Sequence, residues 1–302
     1  MRCGFVALVG RPNVGKSTLL NALVGEDVSI VASRPQTTRD RILAVITRDD
    51  AQLIVLDTPG IHRPHGRLGE RMNREATAAL ADADAVVMVA DATDGAAGLE
   101  RDAPVFAEIA SLKKPVLLAL NKVDLVRPKT AMLPTLEAYT KAREWTSIIP
   151  IAAKSRDGVD RLVSECLGLL PEGPMLFPAD AITDRPERFL VAERVREAVI
   201  HETADELPYV TAVEVERFEE GAKLVHIGAT IHVEREGQKK IVIGAGGAQI
   251  KAIGTRARRA IEAMLGRKVM LELWVKVSPG WTKNQSAMDR LGYGASGPAR
   301  RR

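Results

Sequence analysis

Cysteine is almost absent from this 302-residue chain: Cys3 and Cys166 are its only two. They are too few and too far apart for a disulfide framework or a zinc site, so both are expected to be reduced thiols. Histidine is also sparse, and His201, His226 and His232 fall at no spacing that would gather metal ligands, which leaves them as surface or strand residues. Nowhere does an unbroken apolar stretch approach the roughly 18 to 20 residues of a membrane-spanning helix. The N-terminus runs directly into a strand-like segment, so a cytoplasmic protein is expected. No internal repeat is visible. What is present is an ordinary globular composition, 46% hydrophobic and 27% charged, which excludes bulk disorder. At 302 residues the chain should form two cores rather than one.

The net charge of +4 conceals an uneven distribution. Residues 1–173 hold 22 Lys+Arg and 22 Asp+Glu, residues 174–238 hold 7 against 14, and residues 239–302 hold 14 against 3. Such a basic end suits a polyanion, whether nucleic acid or an anionic membrane surface.

Five apolar runs punctuate the first half: FVALVG at 5–10, LIVLD at 53–57, AVVMVAD at 85–91, VLLALNK at 116–122 and SIIPIAA at 147–153. Because they are apolar throughout rather than alternating, they predict parallel strands covered by helices on both faces, a doubly wound α/β domain with a mostly parallel sheet. Pro171-Glu172-Gly173-Pro174, followed by Pro178, breaks helix and marks a boundary. Residues 1–172 are thus expected as the first domain, 173–184 as linker, 185–285 as a smaller α+β domain and 286–302 as a basic flexible tail. Within the second domain, a helix over 187–206, two strands, a strand end leading into a glycine loop, helical sequence and a last strand predict the order α-β-β-α-α-β, provided the stretch after the glycine loop is a helix pair.

The chemistry-bearing motifs sit at the ends of the apolar runs. Gly10-Arg11-Pro12-Asn13-Val14-Gly15-Lys16-Ser17 follows a strand and opens a helix that continues with Thr18, the context of a phosphate-binding loop. Its glycines let backbone N–H groups close on phosphate at a helix N-terminus, Lys16 can reach the β and γ oxygens, and the Ser17 hydroxyl can ligate Mg²⁺. Asp57-Thr58-Pro59-Gly60 places an acid near the metal and a glycine N–H near the γ-phosphate. Asn121-Lys122-Val123-Asp124 supplies base selection, because the Asp124 carboxylate accepts from N1–H and N2–H₂ of guanine, a pair that adenine lacks. Lys122 can lie over the purine and Asn121 can brace the neighbouring loop. Ile151-Ala152-Ala153 ends the last strand, where a backbone N–H can donate to guanine O6. Between the first and second motifs, Pro35-Gln36-Thr37-Thr38-Arg39-Asp40 carries two adjacent hydroxyls. One threonine, Thr38 in preference to Thr37, is expected to complete the Mg²⁺ shell with GTP and to let go after hydrolysis.

In the basic half, Gly244-Ala245-Gly246-Gly247 precedes Ile250 and Lys251 and forms a GxxG loop, the arrangement that clamps single-stranded RNA through its backbone in KH domains. A bare GxxG is weak by itself. The IVIG lead-in, the following IKxIG and nearby basic residues including Lys239, Lys240, Arg256, Arg258, Arg259 and Lys268 strengthen it.

The GRPNVGKSTLLNAL opening, QTTR, DTPGI and NKVD together resemble the Era family of bacterial ribosome-assembly GTPases, and the later VKVSPGWTKN resembles its closing segment. The resemblance implies a GTPase domain followed by a type II KH domain, Mg²⁺ with GTP or GDP, and a 16S rRNA target near its 3′ end during 30S subunit assembly. Relatives often carry a basic residue where this chain has Ala245. Ile61 stands where Ras-type enzymes have a water-orienting glutamine, so slow intrinsic hydrolysis is expected, with Lys16, Thr38 and Gly60 as the catalytic groups. A monomer is expected. The competing reading is a membrane-associated regulatory GTPase whose basic end contacts anionic lipid.

Overall fold

The computed structural model describes residues 1–32, 34, 37–61, 66–203 and 207–294. Its first half is built on a six-stranded sheet of order β2-β3-β1-β4-β5-β6, comprising β1 (Arg2–Val9), β2 (Ile42–Arg48), β3 (Ala51–Asp57), β4 (Ala85–Asp91), β5 (Val116–Asn121) and β6 (Ser147–Pro150). Every pairing is parallel except β2 with β3. The connections are α1 (Lys16–Val24), α2 (Gly66–Asp82), the short α3 (Gly98–Arg101) with α4 (Ala103–Ile109), and α5 (Leu133–Ala142), with α6 (Val159–Gly168) after β6.

Strand alternation divides the apolar runs between two cores. Phe5, Ala7 and Val9 pack with Ala76, Leu80, Val105, Ile109 and Tyr139 on one face, while Val6 and Leu8 pack with Leu19, Leu20, Leu162 and Val163 on the other. The five expected strands are all present. The sixth, β2, is not among those five runs although residues 42–46 are apolar; it ends in Thr47-Arg48 and doubles back antiparallel on β3 through Asp49 and Asp50. Ile182 and Thr183 lie along β2, where Val45 N–H donates to Ile182 O at 2.8 Å and Thr183 Oγ1 to Leu43 O at 2.6 Å, covering an otherwise open sheet edge.

The second half contains α7 (Glu187–Glu202), a single turn α8 (Leu207–Val210), β7 (Ala212–Glu220), β8 (Leu224–Val233), α9 (Glu236–Ile243), α10 (Ala248–Leu265) and β9 (Lys268–Val277). Its sheet has the order β7-β8-β9, with β8 antiparallel to β7 and parallel to β9. Val191, Val195, Ala198 and Val199 make the apolar stripe of α7, which packs with Ile253, Ala257 and Ile261 of α10 over the strands.

The expected α-β-β-α-α-β order is therefore present, but its helix pair straddles the glycine loop instead of following it. The sequence QKKIVI, read as a strand end, is helical: Gln238 Oε1 accepts from Arg235 N–H at 3.0 Å at the helix start, and Val242 is buried in the core. Packing here overrides the strand preference of β-branched residues. Residues 286–294, expected within a flexible tail, are also ordered. α11 (Gln285–Arg290) is capped by Asn284, whose Oδ1 accepts from Ala287 N–H at 3.1 Å, and Met288 and Tyr293 are buried against Leu68, Met72, Ala212 and Trp281. That apolar cluster joins the two halves.

Candidate nucleotide site and nucleic-acid interface

The loop from Gly10 to Ser17 connects β1 to α1. Gly15 has φ +100°, and a Cβ there would stand 2.3 Å from Asn121 Nδ2, so only glycine fits. Lys16 is buried, with Nζ donating to Gly10 O at 3.0 Å and Arg11 O at 2.9 Å. Burial lowers its ammonium group to about 8. Gly60 lies against the same loop, since a Cβ on it would be 2.7 Å from Pro12 N, and Ile61 N–H donates to Gly10 O at 3.1 Å. The Ile61 side chain is buried in the core and supplies no polar group to the site. Thr58, buried, donates to Leu8 O at 2.7 Å and holds the loop to β1.

The three expected metal ligands converge. Ser17 Oγ is 2.8 Å from Thr38 Oγ1 and donates to Asp57 Oδ2 at 2.8 Å, while Asp57 Oδ1 is buried with no partner among the described residues. Desolvation raises the Asp57 carboxyl above its ordinary value. Two hydroxyls beside a buried carboxylate with a spare oxygen form a hard oxygen donor set that fits Mg²⁺. Ser29, which no motif marked, also donates to Asp57 Oδ2, at 3.0 Å. The Thr37 hydroxyl points elsewhere, donating to Arg34 O at 2.6 Å, so Thr38 is the threonine facing Ser17. Pro35 and Gln36 lie outside the described residues.

One cleft of about 350 Å³ takes in Pro12, Lys16, Ser17, Thr38, Gly60 and Lys122. A larger one of about 800 Å³ shares Thr18 with it and reaches Ala153. Asn121 spans the two ends: Nδ2 donates to Val14 O at 2.9 Å, and Oδ1 accepts from Ala153 N–H at 3.0 Å. Lys122 Nζ donates to Asn13 O at 2.8 Å and pairs with Asp91 at 2.5 Å. Ile151 and Ala152 are buried at the end of β6, and Val123 N–H donates to Ile151 O at 3.2 Å, which seats the turn carrying Asp124 beside that strand end.

Arg39 and Asp40, expected within a polar switch loop, are buried between the halves of the chain. Arg39, 1% exposed, donates from Nη1 to Thr211 O at 2.7 Å and Tyr293 Oη at 3.3 Å, and from Nη2 to Pro208 O at 2.7 Å. Its guanidinium lies near the rings of Trp281 and Tyr293. Arg71 pairs with Asp40 at 2.5 Å and donates to Arg39 O at 3.1 Å and Gly294 O at 2.9 Å. Arg196 of α7, held by Glu193 at 2.6 Å, donates to Thr37 O. The second half of the chain thus holds the segment on both sides of Thr38, by the Thr37 carbonyl before it and the Arg39 guanidinium after it.

In the second half of the chain, Gly246 and Gly247 have φ 57° and 79°, and a Cβ on Gly246 would meet open space. Gly244, Ala245 and these two residues join α9 to α10, with Ile250 and Lys251 in the first turn of α10. A surface cleft along α10 is lined by Lys251, Thr255, Arg256 and Arg259 together with Glu202. Arg256 is tied to Glu202 at 2.5 Å, and Arg258 is exposed but does not line the cleft. His232 is buried in β8, its Nδ1 2.9 Å from Ser278 Oγ and its Nε2 3.3 Å from Glu214. Among the described residues no His, Cys, Asp and Glu group forms a metal cluster.

Comparison with known proteins agrees with this geometry. The family described as "50S ribosome-binding GTPase" matches residues 5–122, and "KH domain" matches residues 206–282. The chain is 48% identical to the GTPase Era of Stenotrophomonas maltophilia (strain K279a) over 292 residues, covering 96% of this chain and 97% of that one. Crystal structures of a single-residue variant of Aquifex aeolicus Era bound to GDP·AlF4⁻, and of Era with MgGDPNP and nucleotides 1506–1542 of 16S ribosomal RNA, each superpose with TM-score 0.93 at 42% identity. Each comparison covers 98% of this chain and 100% of the other. With a GTPase half, a KH half and near-full-length similarity in both sequence and structure, the chain belongs to the Era family of GTPases.

Proposed function

We propose that this GTPase is a switch that binds 16S rRNA through its KH domain and assists maturation of the 30S subunit, acting as a cytoplasmic monomer. Its division is taken as a GTPase domain over 1–172, a linker over 173–184 and an RNA-binding domain from 185, with α11 and Tyr293 added to that second unit.

The observation that carries the reading is that the KH half holds the Thr37 carbonyl and the Arg39 side chain on either side of Thr38. Bound Mg²⁺, held by Ser17, Thr38 and Asp57, neutralises phosphate charge. Lys16 and the Gly60 N–H stabilise charge on the γ-phosphate, and N–H groups of residues 13–18 cradle the phosphates. Asp124 selects guanine, with Asn121 tying base and phosphate loops together. When the γ-phosphate leaves, Thr38 loses its partner at the site and its backbone neighbours carry the change to the KH half. The loop at Gly244–Gly247, with Lys251 and the basic face of α10, holds the RNA backbone. No observation favours the membrane reading, and among the described residues no helix is long and apolar enough to cross a membrane.

The test compares binding of an RNA from the 3′ end of 16S rRNA by wild type and Gly246→Asp, each with a non-hydrolysable GTP analogue and with GDP. Aspartate tolerates the left-handed backbone and meets open space, so the change adds charge rather than a clash. Tighter binding with the analogue, lost in the variant, is expected. Equal, weak and salt-sensitive binding in all four arms would overturn the switch.

A further inference from the structure

We infer that Asp102 and Tyr139 are positioning residues for hydrolysis, acting on the γ-phosphate side of the site through Arg11. Arg11 sits in the phosphate-binding loop next to Lys16's acceptors, yet its guanidinium is directed away from the cleft. Its Nε donates to Asp102 Oδ1 at 2.5 Å and its Nη2 to Asp94. Asp102 is completely buried, and its other oxygen accepts from Tyr139 Oη at 2.5 Å. Tyr139, buried on α5, stacks on Phe106 of α4 with ring centroids 6.3 Å apart. Asp94 pairs in turn with exposed Arg101. A line of side chains therefore runs from the helical core of the GTPase half to one residue of the loop.

That residue lies where the loop performs two tasks. The Arg11 carbonyl accepts from Lys16 Nζ at 2.9 Å, so its position sets the direction of the ammonium group. Pro12, the next residue, is in contact with Gly60, and Gly10 on the other side accepts from Ile61 N–H. Residues 10–12 thus form the bed on which both Lys16 and the Gly60 N–H are placed. Residues 13–18, which face the phosphates at the start of α1, are braced separately by Asn121 and Lys122. Two carboxylates already occupy the Arg11 guanidinium, so Arg11 contributes position and not charge at the γ-phosphate. An oriented ion pair to a fully buried carboxylate fits that use, because weakening it leaves Arg11 held by Asp94 alone and removes the anchor to the helical core.

The inference rests on the reading that Lys16 and Gly60 meet the γ-phosphate, so Lys16→Ala serves as the reference arm. Full-length Asp102→Asn and Tyr139→Phe, both close in shape to the native residues, would be measured for single-turnover GTP hydrolysis, GDP affinity and melting temperature. A misplaced bed should slow hydrolysis by about tenfold in Asp102→Asn and about threefold in Tyr139→Phe. GDP affinity should stay within about threefold of wild type, because residues 13–18 keep their own braces. Arg11→Lys, which cannot fork to two carboxylates, should behave like Asp102→Asn. Unchanged hydrolysis in the variants, with or without a lower melting temperature, would show a purely structural pair and overturn the inference. A parallel loss of hydrolysis and GDP affinity would overturn it as well, since the effect would then not be confined to the γ side. If Lys16→Ala hydrolyses like wild type, the reading of the site fails first.

Discussion

Arg39→Met removes the guanidinium that bolts the switch backbone to the KH half while keeping an apolar stem of similar length. The variant loses donors to Thr211 O and Pro208 O and strands both carbonyls in a buried place. Charge-assisted hydrogen bonds contribute about 1.5–3 kcal/mol each. Against that stands the cost of burying the charge, which pushes the arginine below its ordinary pKa, with no carboxylate among the described residues bonded directly to it. The balance is about 3 kcal/mol of domain coupling, or about 150-fold in the docking equilibrium. Calorimetric unfolding of Arg39→Met should separate into two transitions where the wild type shows stronger coupling. In RNA-binding titrations the ratio of affinities with GTP analogue and GDP should fall toward one, whichever nucleotide favours RNA in the wild type. A variant that keeps the wild-type ratio to within about twofold while still binding nucleotide would refute the argument that this contact carries the signal.

Asp124→Asn should weaken GTP binding by at least about a hundredfold, because an amide offers a donor where guanine already has two, and xanthosine triphosphate should gain relative to GTP in a competition assay. The KH half should lose stability in mild acid. His232 is held below its ordinary value of 6.5, by desolvation first, with Glu214 and Glu216 opposing and Lys276 assisting. The unfolded chain therefore takes up a proton that the folded chain refuses, so this histidine's stabilising contribution is present above pH 6.5 and is lost as pH falls below it. Denaturant midpoints between pH 7.5 and 5.5 should fall more in wild type than in His232→Gln, and parallel curves would exclude His232 as the source.

The nucleotide site was legible because its parts are local. Each motif is a short run at the end of an apolar strand, and the parallel sheet brings those ends together. The sequence alone favours Thr38 over Thr37, but what separates two adjacent hydroxyls is where the backbone turns them: Thr38 faces Ser17, and Thr37 donates to Arg34 O. Ser29 at Asp57 has no motif around it. The grip on the switch was illegible for a different reason. Arg39, Arg71 and Arg196 have the sequence signature of solvated charges, yet each donates to a backbone carbonyl 159 to 223 residues away, which no periodicity encodes. The helix before the glycine loop reads as strand because QKKIVI has strand-like content, whereas its fate is set by the cap at Arg235 and the burial of Val242.

The clasp around Arg39 also orders events during synthesis. Strands β1 to β6 and the phosphate loop are complete long before Pro208, Thr211, Trp281 and Tyr293 have been made, and N-terminal domains generally fold first on the ribosome. A nascent chain can therefore take up guanine nucleotide while its switch segment is held only from within the GTPase half, by Arg71. Only when Tyr293 emerges does the loop acquire its full anchor, and the newly made molecule passes from an ungoverned nucleotide binder to a two-part machine.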